Sequence, residues 1–153
     1  MTASSGSATP PEPSPVGTVG GEWEVHIERG KIREFARAMQ SESTAYEGPD
    51  AVVPPTFLIN AVQWAPADVR VTLGFERKRL LHGEQEYIFH GSLPKVGDTL
   101  LARERVLERF DKPGKRGGQM RFAVIATEFR SADGELVAEA RGTFIETAAK
   151  EPK

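Results

Sequence analysis

The chain has 153 residues, enough for one domain with one sizeable core. Its 20 Lys and Arg against 22 Asp and Glu give a formal net charge of -2, which excludes the broad basic field that draws in nucleic acid. It has no Cys, so disulfides, thiolate nucleophiles and Cys-ligated metals are excluded, and the composition suits a cytoplasmic protein.

Residues 1–21 read MTASSGSATPPEPSPVGTVGG, and their Ser, Pro, Gly and Thr predict a disordered tail. The start lacks a charged segment ahead of an apolar run, so no secretory signal is expected, and no run approaches membrane-spanning length. GTVGG lacks the strand-then-helix context of a nucleotide motif. A folded domain is expected over 22–147, with a solvated tail over 148–153. Trp23, Val25 and Ile27 alternate as in a short strand. Ile32, Phe35, Ala36 and Met39 fall on one face of a helix. Gly48, Pro49, Pro54 and Pro55 mark 41–55 as a loop. Pro55 then suits the first turn of a second helix. There Phe57, Leu58, Ile59, Ala61, Val62, Trp64 and Ala65 leave little polar face, which predicts a buried helix ending at Pro66.

The remainder reads as strands. RLLHGEQEYIF is the first, closed by the turn PKVGD. TLLARERVLERF sets Leu100, Ala102, Val106 and Phe110 against Leu101, Arg103, Arg105 and Leu107. DKPGKRGG is a hairpin loop, and QMRFAVIATEFR puts Met120, Phe122, Val124 and Ala126 on one face. SADGE carries an Asp-Gly hairpin signal. LVAEARGTFIET closes the sheet, with Leu136, Ala138, Ala140 and Phe144 inward. Short connections require antiparallel neighbours. A long sheet curled around one apolar helix is an α+β, hot-dog-like arrangement. Its free edge and incompletely covered helix invite a partner.

Three stretches carry a family resemblance: KIREFARAM before the loop, PPTFLINA opening the second helix, and LHGEQEYIFHGSLPKVGDTL. They resemble the MaoC-like hot-dog hydratases and dehydratases, in particular the N-terminal, FAS1-like dehydratase half, over about residues 22–147. The closing hairpin, KRGGQMRFAVIATEFRSADGELVAEARGTFIET, is similar too. The resemblance implies (R)-specific hydration of 2-enoyl thioesters, or dehydration of 3-hydroxyacyl thioesters, carried on coenzyme A or acyl carrier protein. It implies no metal and no cofactor. In active members an Asp-x-Asn-Pro-x-His loop positions and activates water, and an N–H at the start of the central helix binds the thioester oxygen. Proton transfer needs an acid/base within hydrogen-bond reach, and the enolate-like charge needs fixed donors.

Aligned on FARAM, Ser41 takes the Asp place, Ser43 the Asn, Thr44 the Pro and Tyr46 the His. An unactivated hydroxyl is no base at neutral pH, and Tyr ionises near 10. The resemblance therefore implies no catalytic residue in this chain. It implies a non-catalytic subunit that shapes the acyl pocket beside a second hot-dog chain bearing Asp and His. Heteromeric dehydratases of mycolic-acid synthesis and enoyl-CoA hydratases of steroid breakdown are built this way. The chain ends soon after 147, so that partner is expected on a separate polypeptide.

Tyr46, Val53, Thr56, Phe57 and Asn60 are the expected pocket lining, with plain core packing as the other reading of Val53, Phe57 and Asn60. The N–H groups of Thr56 and Phe57 are candidate thioester donors. Lys112, Lys115 and Arg116, set among glycines, are candidates for coenzyme A phosphates, against an ordinary solvated hairpin. His82 and His90 share a face if their strand is regular, yet neither they nor His26 have triad or metal-site neighbours in sequence. A stand-alone hydratase or thioesterase would need Glu42 or His82 as its acid/base. A thioester-binding module without turnover is the remaining alternative.

Overall fold

A computed structural model of the chain describes residues 9–115 and 117–149. Strand β1 is Val19–His26, helix α1 Arg29–Ala38 and helix α2 Ile59–Trp64. Strands β2, β3, β4 and β5 are Leu80–Phe89, Thr99–Pro113, Gln119–Arg130 and Leu136–Glu146. They form one five-stranded sheet of order β1-β3-β4-β5-β2, antiparallel at every pairing. The expected order of elements is present.

One face of the sheet holds the core. Trp23 and Val25 of β1 lie opposite Ala102 and Leu100. Phe129 pairs with Ala102 and Ala138, and Thr127 pairs with Glu104 and Ala140. The α1 residues Ile32 and Ala36 and the α2 residue Ala61 close over this end, with Val53, Phe57 and Leu58 fully buried between them. Phe57 meets Phe35 edge-on at 5.5 Å, an arrangement that suits the ring quadrupoles. The Trp23 indole N–H donates to the Ala61 carbonyl at 3.2 Å, satisfying an otherwise free helix carbonyl.

The other end of the same face has no helix. Residues 70–76 cross it as irregular chain, and Val71, Leu73 and Phe75 pack on Val106, Ala123, Ile125 and Phe144. Such a segment must find partners for its backbone. Glu104, 3% exposed, accepts from Val71 N–H and from Arg70. Arg109 donates to the carbonyls of Ser14, Thr72 and Leu73 at 2.8, 2.8 and 2.9 Å. Glu146 accepts from Glu76 N–H at 2.6 Å and pairs with Arg79 and Arg121.

Four expectations are corrected here. The tail expected over 1–21 is ordered where it is described. Ser14 exchanges hydrogen bonds with Thr72, Gly17 N–H donates to Val106, and β1 already starts at Val19. A Pro/Ser/Gly stretch buries little apolar surface, but here Arg109 and the 72–74 segment supply partners for its backbone; residues 1–8 lie outside the described residues. The second helix is only Ile59–Trp64 and is half covered, with Trp64 42% exposed, because 3-10 turns rather than helix flank it. Phe110 does not share the face of Leu100, Ala102 and Val106. An extra residue, Leu107, bulges from β3, so Phe110 pairs with Phe122 on the outer face and stacks on it at 4.8 Å, while Arg109 turns inward. A second bulge at Gly83 likewise puts His82 and His90 on opposite faces.

Burial alone pushes the Glu146 carboxyl up, but the Glu76 N–H, Arg121 and Arg79 outweigh it and hold it below the usual glutamate range. A carboxylate depressed in this way stabilises the fold above its unfolded value of about 4.3 and loses that contribution as pH falls through the folded value. We expect Glu146→Gln to cost about 2 kcal/mol at pH 7 and to flatten the loss of stability below pH ~4.3. Urea unfolding of both proteins at pH 7 and pH 4 measures this; equal stabilities at pH 7 would rule the network out as a support.

Candidate functional site

The site is built where α1 ends. Met39 N–H donates to Phe35, Gln40 N–H to Arg37 and Ser41 N–H to Ala36, a Schellman-type close. The left-handed residue this closure needs is Gln40, at φ 57°, where glycine is the usual choice. The strain therefore sits immediately before Ser41, at the loop's first reactive position.

The loop then spends its own polar groups. Ser41 Oγ accepts from Ser43 N–H at 3.3 Å, and Ser43 Oγ accepts from Ala45 N–H at 3.4 Å. Thr44–Tyr46 forms a single 3-10 turn. Tyr46 is half-buried and its ring packs against the main core, while Glu42 is exposed and makes no ion pair among the described residues. The loop is pinned further on: Val52 N–H donates to Ala45, Val53 N–H to Pro94 and Val96 N–H to Ala51. The turn at Pro94–Asp98 is held in turn by the Asp98 carboxylate, which accepts from Lys95 N–H at 2.9 Å. The PKVGD turn therefore braces the reactive loop.

The expected lining is only partly assembled. Val53 and Phe57 are buried beside Tyr46 in one cluster. Asn60 is half-buried, while Thr56 is exposed, its hydroxyl 3.9 Å from the Met39 sulfur. Phe57 N–H already donates to Pro54 at 2.9 Å, so the candidate thioester donor at Phe57 is occupied by the turn that starts the helix. A cavity of about 30 Å³ opens instead between α2 and the sheet, walled by Ile59 and Val62 above and by Gln85, Glu104, Thr127 and Phe144 below. Sequence reasoning passed over these residues. The available clue was polar side chains at inward places of otherwise apolar alternation. Such a space holds about one water, so an acyl chain would have to part α2 from the sheet to enter there.

His82 stacks on Phe144 at 5.0 Å on the inner face, and His90 lies 3.0 Å from Glu139 on the outer one. His26 faces Thr99 and Glu24. Among the described residues no group of His, Asp and Glu is placed to hold a metal ion, and no helix is long and apolar enough to cross a membrane. Lys112 covers the Phe110 and Phe122 rings at the far end of β3, remote from the loop. Lys115 follows in the hairpin, and Arg116 lies outside the described residues.

Residues 14–140 match the family described as FAS1-like, dehydratase domain region. The chain belongs to that family. A UPF0336 protein of Saccharopolyspora erythraea is 30% identical over 131 residues, covering 78% of this chain and 80% of that protein. The fold is similar to that of a chain in the C-terminally truncated HadBC (3R-hydroxyacyl-ACP dehydratase) complex of Mycobacterium tuberculosis. The TM-score is 0.70 at 24% identity, over 85% of this chain and 96% of that one. A chain of the ChsH1-ChsH2 complex, also of Mycobacterium tuberculosis, has TM-score 0.62 at 15% identity, over 88% and 99%. The MaoC-like hot-dog fold expected from the sequence is therefore present in this FAS1-like dehydratase domain.

The strained helix end gives a direct test. Gln40→Gly should stabilise the fold by about 0.5–1 kcal/mol, since the left-handed penalty of a side chain exceeds the entropy cost of glycine. A rise in Tm checks this; a fall would mean that the Gln40 side chain makes a compensating contact.

Proposed function

We propose that this chain is the non-catalytic, pocket-shaping subunit of a heteromeric hydratase/dehydratase acting on (R)-3-hydroxyacyl and 2-enoyl thioesters. The observation that carries the reading is the loop, where Ser41 Oγ accepts from its own turn; the register from FARAM, which sets Ser41 and Tyr46 at the family's Asp and His places, supports it. Neither group takes a proton from water at neutral pH. The reaction itself places hydroxyl on C3 and a proton on C2 of the enoyl group, or removes both. Its acid/base pair comes from a second hot-dog chain carrying Asp and His. The heteromeric assembly of two proteins of similar fold, HadBC and ChsH1-ChsH2, supports such a partnership.

In this arrangement Val53 and Phe57 supply a fixed apolar wall, because their burial in the core leaves them little freedom. Tyr46, Thr56 and Asn60 are less buried than these two. The half-covered α2, with Trp64 exposed, and the free edge of β2, with Leu81 exposed, are the unfinished parts that a partner would complete.

The purified chain should give no detectable hydration of a trans-2-enoyl-CoA, and turnover should appear on mixing with a hot-dog chain that has an Asp-x-Asn-Pro-x-His loop. Glu42→Ala and His82→Ala should leave the rate of that complex unchanged. Turnover by the lone chain, as a stable homodimer, would overturn the reading; loss of that turnover in either Ala variant would then locate the acid/base.

A further inference from the structure

We infer that the outward face of α1, with the cleft beside it, binds the phosphate groups of coenzyme A, an inference that rests on the thioester reading above. Arg29, Arg33 and Arg37 recur every fourth residue of α1, so they stand in one row along the helix, and all three are exposed. The row is about 12 Å long. Among the described residues none of these arginines makes an ion pair or a side-chain hydrogen bond. Elsewhere Arg70, Arg79, Arg103, Arg105, Arg121, Arg130 and Arg141 are each paired with a glutamate and Arg109 with three carbonyls; among the described residues Arg77 alone shares the unpaired state of the row. Acidic residues outnumber basic ones in the chain, so a shortage of carboxylates does not explain the difference.

The first member of the row is also placed against local preference, whereas Arg37 in the last turn is not. The first turn of α1 has no acidic residue, begins with Arg29 and lacks a side-chain cap at Glu28. Cations there oppose the helix dipole. Local rules are broken in this way chiefly where the charge has another use. Beside the row, an open cleft of about 530 Å³ separates α1 from the loop that follows it, lined by Arg29, Gly30, Arg33, Tyr46, Glu47 and Gly48. Nothing lies within 4 Å of the space a Cβ would fill at Gly30 or Gly48, so both walls are open to a bulky ligand. Guanidinium groups match phosphate with parallel N–H bonds.

The position fits a carrier whose acyl group passes Tyr46 toward the proposed lining, with the acid/base supplied by the partner. Lys112 does not: it is 13 residues along β3 from Thr99, roughly 40 Å in extended chain, and Thr99 pairs with His26 just before α1. Glu47 is the single carboxylate among the cleft residues, and its charge opposes a phosphate. It therefore supplies a test of sign.

Titration calorimetry of the whole chain with coenzyme A, dephospho-coenzyme A and pantetheine tests the inference. Coenzyme A should bind, loss of the 3′-phosphate should weaken it, and pantetheine should not bind measurably. R29Q/R33Q should weaken coenzyme A by at least about tenfold with no fall in Tm, Arg37→Gln should weaken it less, and Glu47→Gln should tighten it. Equal affinity in the arginine variants, absence of coenzyme A binding, or binding of an acidic acyl carrier protein alone would overturn the inference. Its failure is separable from that of the subunit reading. Coenzyme A binding with hydration by the lone chain leaves the inference standing and removes the non-catalytic role. No binding, with hydration that still needs the partner, does the reverse.

Discussion

An irregular length of chain laid on a sheet must find a partner for every N–H and C=O it buries, or the face beneath it cannot close. Residues 70–76 set that requirement here, and charged side chains meet it. Glu104 takes the Val71 N–H, Glu146 takes the Glu76 N–H, and Arg109 gathers the carbonyls of Thr72, Leu73 and the incoming Ser14. The two carboxylates are themselves neutralised by neighbours, Arg70 for Glu104 and Arg79 with Arg121 for Glu146, while Arg109 is held by its three carbonyls. A buried charge without such company would cost several kcal/mol. This end of the core is thus closed by ion pairs and hydrogen bonds to backbone, whereas the other end is closed by two helices and ordinary apolar packing.

That division explains what the sequence made legible. Strands were readable because Leu100 and Ala102, or Ala138 and Ala140, alternate cleanly with polar neighbours. The α1 helix was readable from Ile32, Phe35 and Ala36. The 70–76 crossing was not, because its own residues, RVTLGFE, have no period to detect; its partners are charges scattered over three strands. The bulges were equally hidden. Leu107 looks like any other member of an alternating run, and only the pairing of Glu108 with Val124 shows that it has dropped out of register. The ordered arm before β1 was missed for a related reason: composition reports how much apolar surface a stretch can bury, not whether an arginine elsewhere will hold its carbonyls.

The candidate site divides in the same way. Its loop residues were legible from register with FARAM, and the structure sets Tyr46, Val53 and Phe57 around one cluster. The Schellman close at Gln40 was not, since glutamine gives no hint of a left-handed conformation. The arginine row on α1 was in plain view at every fourth position, but an exposed charge acquires meaning only when its neighbours are known to leave it unpaired.

The bulge at Leu107 has a consequence for how this strand can change. Upstream, Leu100 and Ala102 meet the helix-covered core, while Glu104 and Val106 already serve the crossing segment; past the bulge, Arg109 faces inward to that same segment. One strand thus serves two interiors of unlike chemistry, and the slipped residue is what lets Arg109 follow Val106 onto the same face at odd spacing. Deleting Leu107 would leave Glu108 opposite Val124 and Arg109 facing inward, and would straighten the strand where the bulge now bends it.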